Sequence, residues 1–215
     1  MKNTIFALAL LSGSILASSF ASASTVNTGP GSGSISAFGF SDSQTYGQVF
    51  TAPTSGVLTD FTLSLDGGVG GNIYGGVGLW NGSAGFAFGG GNGGNLYTSG
   101  LVSELSGGSF TFNPGINVVA GTLYVAYVSV FGTNANTTTS MPFLFGGSGD
   151  ANANYFVWNN TNGGPLNSSW NYFSDYGDAQ FVANISAVPV PAALPLFLGA
   201  LAGLGAVARR RKRAV

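Results

Sequence analysis

The sequence predicts an all-β domain built as an antiparallel sandwich, and three observations predict it. Short runs rich in Phe, Tyr, Val, Ile and Thr recur through the middle of the chain. Several of them alternate apolar and polar residues with a period of two, as a strand with one buried face requires. Gly, Asn and Ser clusters divide the runs, and no window away from the two termini carries a 3.6-residue apolar stripe.

In chain order the expected strands begin with Ser34–Phe40, Tyr46–Thr51, Val57–Leu65 and Ile73–Trp80. In the third of these Phe61, Leu63 and Leu65 share one face, and Thr62 and Ser64 share the other. Trp80 closes an apolar strand and is expected to be buried. Ser109–Phe112 follows, then Leu123–Phe131, which is apolar at successive positions and so reads as a central strand buried on both sides. Met141–Phe145, Asn154–Trp158 and Ala179–Ile185 complete the set; in the last, Phe181, Ala183 and Ile185 again alternate. The glycine clusters Gly67–Gly71 and Gly89–Gly94 read as loops, because glycine is poor inside a strand. Neither precedes a Gly-Lys-Ser/Thr and a helix, so phosphate binding is not expected. The glycine spacing is too irregular for a solenoid.

The two ends of the chain differ from its middle. Lys2, the apolar run from Ile5 to Leu11 and the small residues Ala21-Ser22-Ala23 read as a signal peptide over 1–23, cut by signal peptidase before Ser24. A transmembrane helix is the alternative there, but the run is short and Ser12, Ser14, Ser18 and Ser19 interrupt it. At the other end, Val188-Pro189-Val190-Pro191 precedes an uncharged span from Ala192 to Ala208, and Arg209, Arg210, Arg211, Lys212 and Arg213 follow. Seventeen residues of helix reach about 25 Å, close to a hydrocarbon core of about 30 Å. Basic residues flanking a span resist translocation and hold that end in the cytoplasm. Gly199 and Gly203 have a helix-dimer spacing, although a span merely rich in small residues reads as well. The expected domains are therefore 1–23, a 24–187 ectodomain and a 188–215 sorting segment.

Between Lys2 and Arg209 there is no Lys, Arg, His or Cys. The region Ser24 to Pro191 holds all seven acids of the chain and no base, a formal −7. Such a surface repels phosphate backbones, so nucleic acid is excluded as a partner. With no disulfide available, packing must stabilise the domain, and 168 residues are enough to bury a core.

Val188-Pro189-Val190-Pro191-Ala192, an apolar span and an arginine cluster, in that order, resemble the PEP-CTERM class of bacterial sorting signals, in the variant reading Val-Pro-Leu-Pro-Ala. Val190 stands where that variant has Leu, and no Glu lies between the prolines. The resemblance implies an exosortase-like transpeptidase that recognises the motif, an anchor in the inner membrane before processing, and delivery to the surface or exopolysaccharide of a Gram-negative bacterium. The two prolines keep the motif extended ahead of the helix. A second resemblance rests on Gln48 to Pro53, Gly78 to Trp80, Leu96 to Ser99, Phe112-Asn113 and Ala120 to Val125. These look like a layout found in secreted bacterial surface proteins of unassigned function, which implies a jelly-roll-like sandwich and no particular chemistry.

Chemistry is sparsely encoded. Without His, Cys, Lys or Arg the common bases, thiol nucleophiles and cationic oxyanion donors are missing, so no catalytic residue is expected. A glycosidase needs only two carboxylates, and Asp175 and Asp178 are the closest pair; capping of the turn before the last strand is the favoured reading of both. No cofactor is expected. Calcium is the one alternative that the oxygen donors leave open. Asp150, Asn152 and Asn154 open like an EF-hand loop, but Tyr155 and Thr161 occupy the Gly and Glu positions. Asp66, Asp150 or Asp178 could hold calcium in another way. Carbohydrate binding is the third candidate, with Trp80, Tyr155, Trp158, Trp170, Tyr172 and Tyr176 as ring faces and Asn159, Asn160 and Asn171 as hydroxyl partners, the stretch Tyr155–Tyr176 being favoured. Burial of those aromatics in a core is the competing reading.

Overall fold

Four strands carry aromatic or β-branched side chains at odd and even positions alike, and they form the middle of the largest sheet. They are β3 (Thr45–Thr51), β5 (Gly71–Leu79), β10 (Leu123–Ser129) and β12 (Asn154–Asn159). With β6 (Asn95–Thr98) and β13 (Asn171–Phe173) they run in the order β13-β12-β3-β10-β5-β6, and β7 (Val102–Glu104) pairs with the start of β5. The computed structural model describes residues 22–80, 94–104, 106–146, 154–159, 170–173 and 177–187. Among them the strands pair antiparallel throughout and no α-helix occurs.

A five-stranded sheet has the order β1 (Ser24–Asn27), β15 (Phe181–Ala187), β4 (Gly56–Leu65), β8 (Gly108–Phe112), and β9 (Ile116–Val118) joins the first residues of β4. A three-stranded sheet has the order β14 (Gly177–Ala179), β11 (Thr138–Phe145), β2 (Gly33–Gly39). Strand alternation turns Tyr46, Phe50, Tyr124, Ala126, Val128 and Phe156 of the seven-stranded sheet toward Phe61, Leu63, Phe181, Met141 and Phe143 of the other two, in one buried core. Three ring pairs cross that gap: Phe50–Phe181 at 5.4 Å, Tyr46–Phe38 at 5.2 Å and Phe156–Phe143 at 5.3 Å. The result is a sandwich-like, all-β arrangement.

Glycine in β5 serves this packing. A Cβ at Gly75 would lie 2.6 Å from the Phe112 ring, so the ring rests directly on the β5 backbone. Gln48 is a polar residue buried in the core. Its amide nitrogen donates to Asp178 Oδ1 at 2.6 Å, and its oxygen accepts from the Ala179 N–H at 2.8 Å. One side chain of the seven-stranded sheet thereby satisfies the buried edge of β14.

All nine expected strands coincide with strands, and β10 lies inside its sheet as expected. Its end is earlier than expected. The Ser129 hydroxyl accepts from Phe131 N–H, and Thr133 N–H donates to the Val130 carbonyl, so the chain is already turning at Val130. The last expected strand is two elements. The chain changes sheet at Gln180, whose N–H donates to the Pro142 carbonyl, and Ala179 belongs to β14 rather than β15. Strands β1, β6, β7, β9, β13 and β14 are additional to the expected set.

Candidate functional site

The face of the seven-stranded sheet turned away from the main core is also buried. Val49, Val125, Tyr127, Tyr155 and Val157 form a second cluster on it with Trp80 and Trp170, and Tyr74 and Leu123 pack at its margin. These are the alternate positions of β3, β10 and β12, so the same pleat that fills the main core with even-numbered residues fills this cluster with odd-numbered ones.

Trp80 meets two neighbouring rings edge to face, the arrangement that ring quadrupoles favour. Trp80 and Trp170 are 6.1 Å apart at 88°, Trp80 and Tyr155 are 6.1 Å apart at 72°, and Tyr127 lies 5.9 Å from Trp170. Trp80 Nε1–H donates to the Tyr155 hydroxyl. A Cβ at Gly76 would fall 2.2 Å from the Tyr127 ring, so this glycine does for the second cluster what Gly75 does for the main core. Burial pushes the Tyr127 phenol well above its ordinary range; a hydrogen bond with Thr98 lowers it and neighbouring Tyr74 raises it. Tyr74 is raised too, again chiefly by burial. In the main core, burial pushes Tyr46 up to about 12, with a lowering hydrogen bond from Ser43 and a smaller raising effect of Asp42. None of these phenols ionises near neutral pH.

Of the aromatics singled out for sugar binding, the structure brings together Tyr155 and Trp170, with Trp80 between them. They are 4% and 1% exposed, so their faces are already covered. Trp158 lies on the opposite face of β12, half-buried and stacked on Phe156 of the main core at 6.1 Å and 15°. Three residues of strand separate it from Tyr155, an odd number that reverses the face. Tyr172 falls in β13, Asn159 is buried at the end of β12, Asn171 is exposed at the start of β13, and Asn160 and Tyr176 lie outside the described residues. Trp80, expected to be buried, and Tyr127, within a strand expected to be buried on both sides, also belong to the cluster. Their signal was the doubly apolar character of β5 and β10.

The five described carboxyls are each held by neutral donors, since no cation exists between Lys2 and Arg209. Asp42 accepts from Ser43 N–H at 2.8 Å, and Asp66 accepts from Ser140 Oγ at 2.7 Å. Asp60 accepts from Thr59 Oγ1 and from Asn184 Nδ2 at 2.9 and 2.7 Å. Glu104 caps its own turn by accepting from Ser106 and Gly107 N–H. Asp178 is buried against Gln48, and burial pushes its carboxyl above the ordinary range while that hydrogen bond draws it back. Asp175, its companion in the hydrolase reading, lies outside the described residues.

No group of three His, Cys, Asp or Glu side chains that could hold a metal occurs among the described residues. Asp66 and Asp178, weighed for calcium, attach to Ser140 and Leu144 of β11, four residues or about 13 Å apart along the strand. Asp150 and Asn152 are outside the described residues, as are the sorting motif Val188–Ala192 and the basic tail Arg209–Arg213. No helix among the described residues is long and apolar enough to cross a membrane.

No family model matches the chain, and no curated protein does. Among solved structures, the clostridial cysteine protease Cwp84 after propeptide cleavage is similar at a TM-score of 0.42 and 12% identity, over 76% of this chain and 40% of that one. This chain therefore spans less than half of that protein. A likeness of this order carries neither fold nor activity across.

Proposed function

We propose that this protein is an exported, non-catalytic component of the surface or exopolysaccharide matrix of a Gram-negative bacterium. It carries a jelly-roll-like ectodomain, is released from its signal peptide before Ser24, and is sorted by an exosortase-like transpeptidase. The observation that carries the reading is the three-part tail: Val188–Ala192, the apolar span to Ala208, and Arg209–Arg213. Two features of the fold support it. The first strand begins at Ser24, the residue after the expected signal cleavage, and the last ends at Ala187, the residue before the motif. Removal of both ends would leave every described strand whole.

The intact mass of the protein recovered from the cell exterior tests this. The expected mass starts at Ser24 and ends within or just before the motif. Replacing Pro189 and Pro191 by Ala should leave full-length precursor in the inner membrane. Release of that variant at the wild-type rate removes the sorting reading.

A second reading, a carbohydrate-binding module, is favoured by the meeting of Tyr155 and Trp170 with Trp80. It requires that a sugar reach rings now packed on one another. A change in tryptophan emission with members of a glycan panel would support it, and no response across the panel would count against it.

A further inference from the structure

Both ends of the described fold fasten to one turn. The Ser24 hydroxyl bonds the Thr54 hydroxyl at 2.7 Å. Two residues on, Gly56 pairs with Ala187, and Val57 pairs with Ser186. The turn is itself braced, because Ser55 Oγ accepts from Ala120 N–H at 3.0 Å. At Gly56 the approach is close: a Cβ there would lie 2.1 Å from the Ser186 carbonyl oxygen and 2.9 Å from the Ile185 side chain. Only glycine lets the end of β15 lie this deep against β4.

The two edges of β15 are held unequally. Strand β1 reaches no further than Ile185, opposite Ser24, whereas β4 follows β15 to Ala187. Ser186 and Ala187 therefore have a described strand partner on one side only, and that partner is the stretch Gly56–Val57. The motif begins at the next residue, Val188, with no spacer. A peptidase binds its substrate as an added extended strand on both sides of the cut bond. Residues held against β4 offer an enzyme only the opposite edge of the chain, so a cleft that must close around the substrate cannot close on them.

We propose that the turn Thr54–Gly56 is a clamp on the processing junction: it holds Ser186 and Ala187 in the sheet and thereby limits how fast the Val188–Ala192 motif is cut. This rests on the sorting reading above. Cutting then requires the local release of two residues from β4, an opening far smaller than unfolding of the domain. The same clamp keeps the domain closed once the tail has gone, because the new C-terminus is already fastened.

The test uses the full-length chain in a bacterium that processes it. A Gly-Ser linker of about six residues between Ala187 and Val188 adds up to ~20 Å of reach. In a pulse-chase it should speed precursor shortening several-fold, and Gly56→Ala should do likewise by pushing Ser186 off β4. An unchanged rate with the linker overturns the clamp. If instead the variant with both Pro189 and Pro191 replaced by Ala is shortened like wild type, the sorting reading fails. The clamp is then judged on purified full-length chain in detergent treated with proteinase K and followed by intact mass. Faster cutting between Ile185 and Val188 in Gly56→Ala, with other cuts unchanged, supports it; equal cutting overturns it. Should Gly56→Ala fail to fold, the linker variant alone decides, since it alters no residue of the sheet.

Discussion

The outer face of the five-stranded sheet and the outer face of the seven-stranded sheet share one backbone geometry and have opposite chemistry. On the first, Thr25 donates to Asn184, and Asn184 donates to Asp60, tying β1, β15 and β4 in a row. The hydroxyl pairs Thr62–Thr111 and Ser64–Ser109 continue the pattern onto β8, each at 2.8 Å. On the second, the equivalent positions hold valines, tyrosines and two tryptophans that are almost wholly buried. The contrast shows that alternation fixes which residues share a face but not which face meets water. In the five-stranded sheet, polar side chains bond across strands and, apart from buried Ser64, keep contact with water. In the seven-stranded sheet, the central strands β3, β10 and β12 bury side chains on both faces.

The sharpest way to break this comparison is to empty the second cluster. Trp170→Ala should cost about 3–5 kcal/mol in chemical denaturation, as for a core tryptophan. A loss below about 1 kcal/mol would mean that the cluster contributes little and that only one face of the sheet is structural. Next, Gly76→Ala and Gly75→Ala place one methyl against Tyr127 or Phe112 on opposite faces of β5. Overpacking of this kind costs about 1–3 kcal/mol, and similar losses at both sites would show that the two clusters are comparably rigid. A large loss at Gly75 alone would show a softer outer cluster.

A smaller effect concerns the buried carboxyl. Burial raises Asp178 above its unfolded value near 3.8. Its contribution is therefore fully present below that unfolded value and is lost as pH rises through the folded one. Tm should rise on acidification from about pH 7 to about pH 4, and Asp178→Asn should flatten that slope while keeping an acceptor for Gln48. An unchanged slope would show that Asp178 is ionised in the fold without penalty. The smallest effect belongs to the hydrated ladder. Replacing Thr62 and Thr111 by Val should change stability by only about 0.2–1 kcal/mol, because water replaces what the hydroxyl pair supplies.

Strands were legible where the pattern was long enough to show its period. Phe61, Leu63 and Leu65 against Thr62 and Ser64 gave β4, and the doubly apolar run from Leu123 gave an interior strand. Strands β7, β9, β13 and β14 have only three residues, and β1 and β6 have four, too few to display alternation. Ser24–Asn27 is extended because β15 supplies a partner, which is information held far away in the chain. Gln48 was illegible for the same reason: a polar residue amid Tyr46, Val49 and Phe50 becomes a core residue only when Asp178, 130 positions later, meets it. The candidate site was partly legible. The burial of Trp80 followed from its place after an apolar strand, but its contact with Trp170 did not. The opposite facing of Tyr155 and Trp158 was available from strand alternation alone, and grouping them by nearness in sequence passed over it.

A fold whose described carboxyls lean on amides, hydroxyls and backbone N–H groups has no need of amines or guanidinium groups for them, and the chain contains none from residue 3 to residue 208. Trypsin-like proteases, which require Lys or Arg at the bond they cut, therefore find no substrate in that stretch, folded or unfolded. Reagents that couple to lysine find no side chain to modify there. Durability against such attack is written into the composition itself and would survive even complete denaturation.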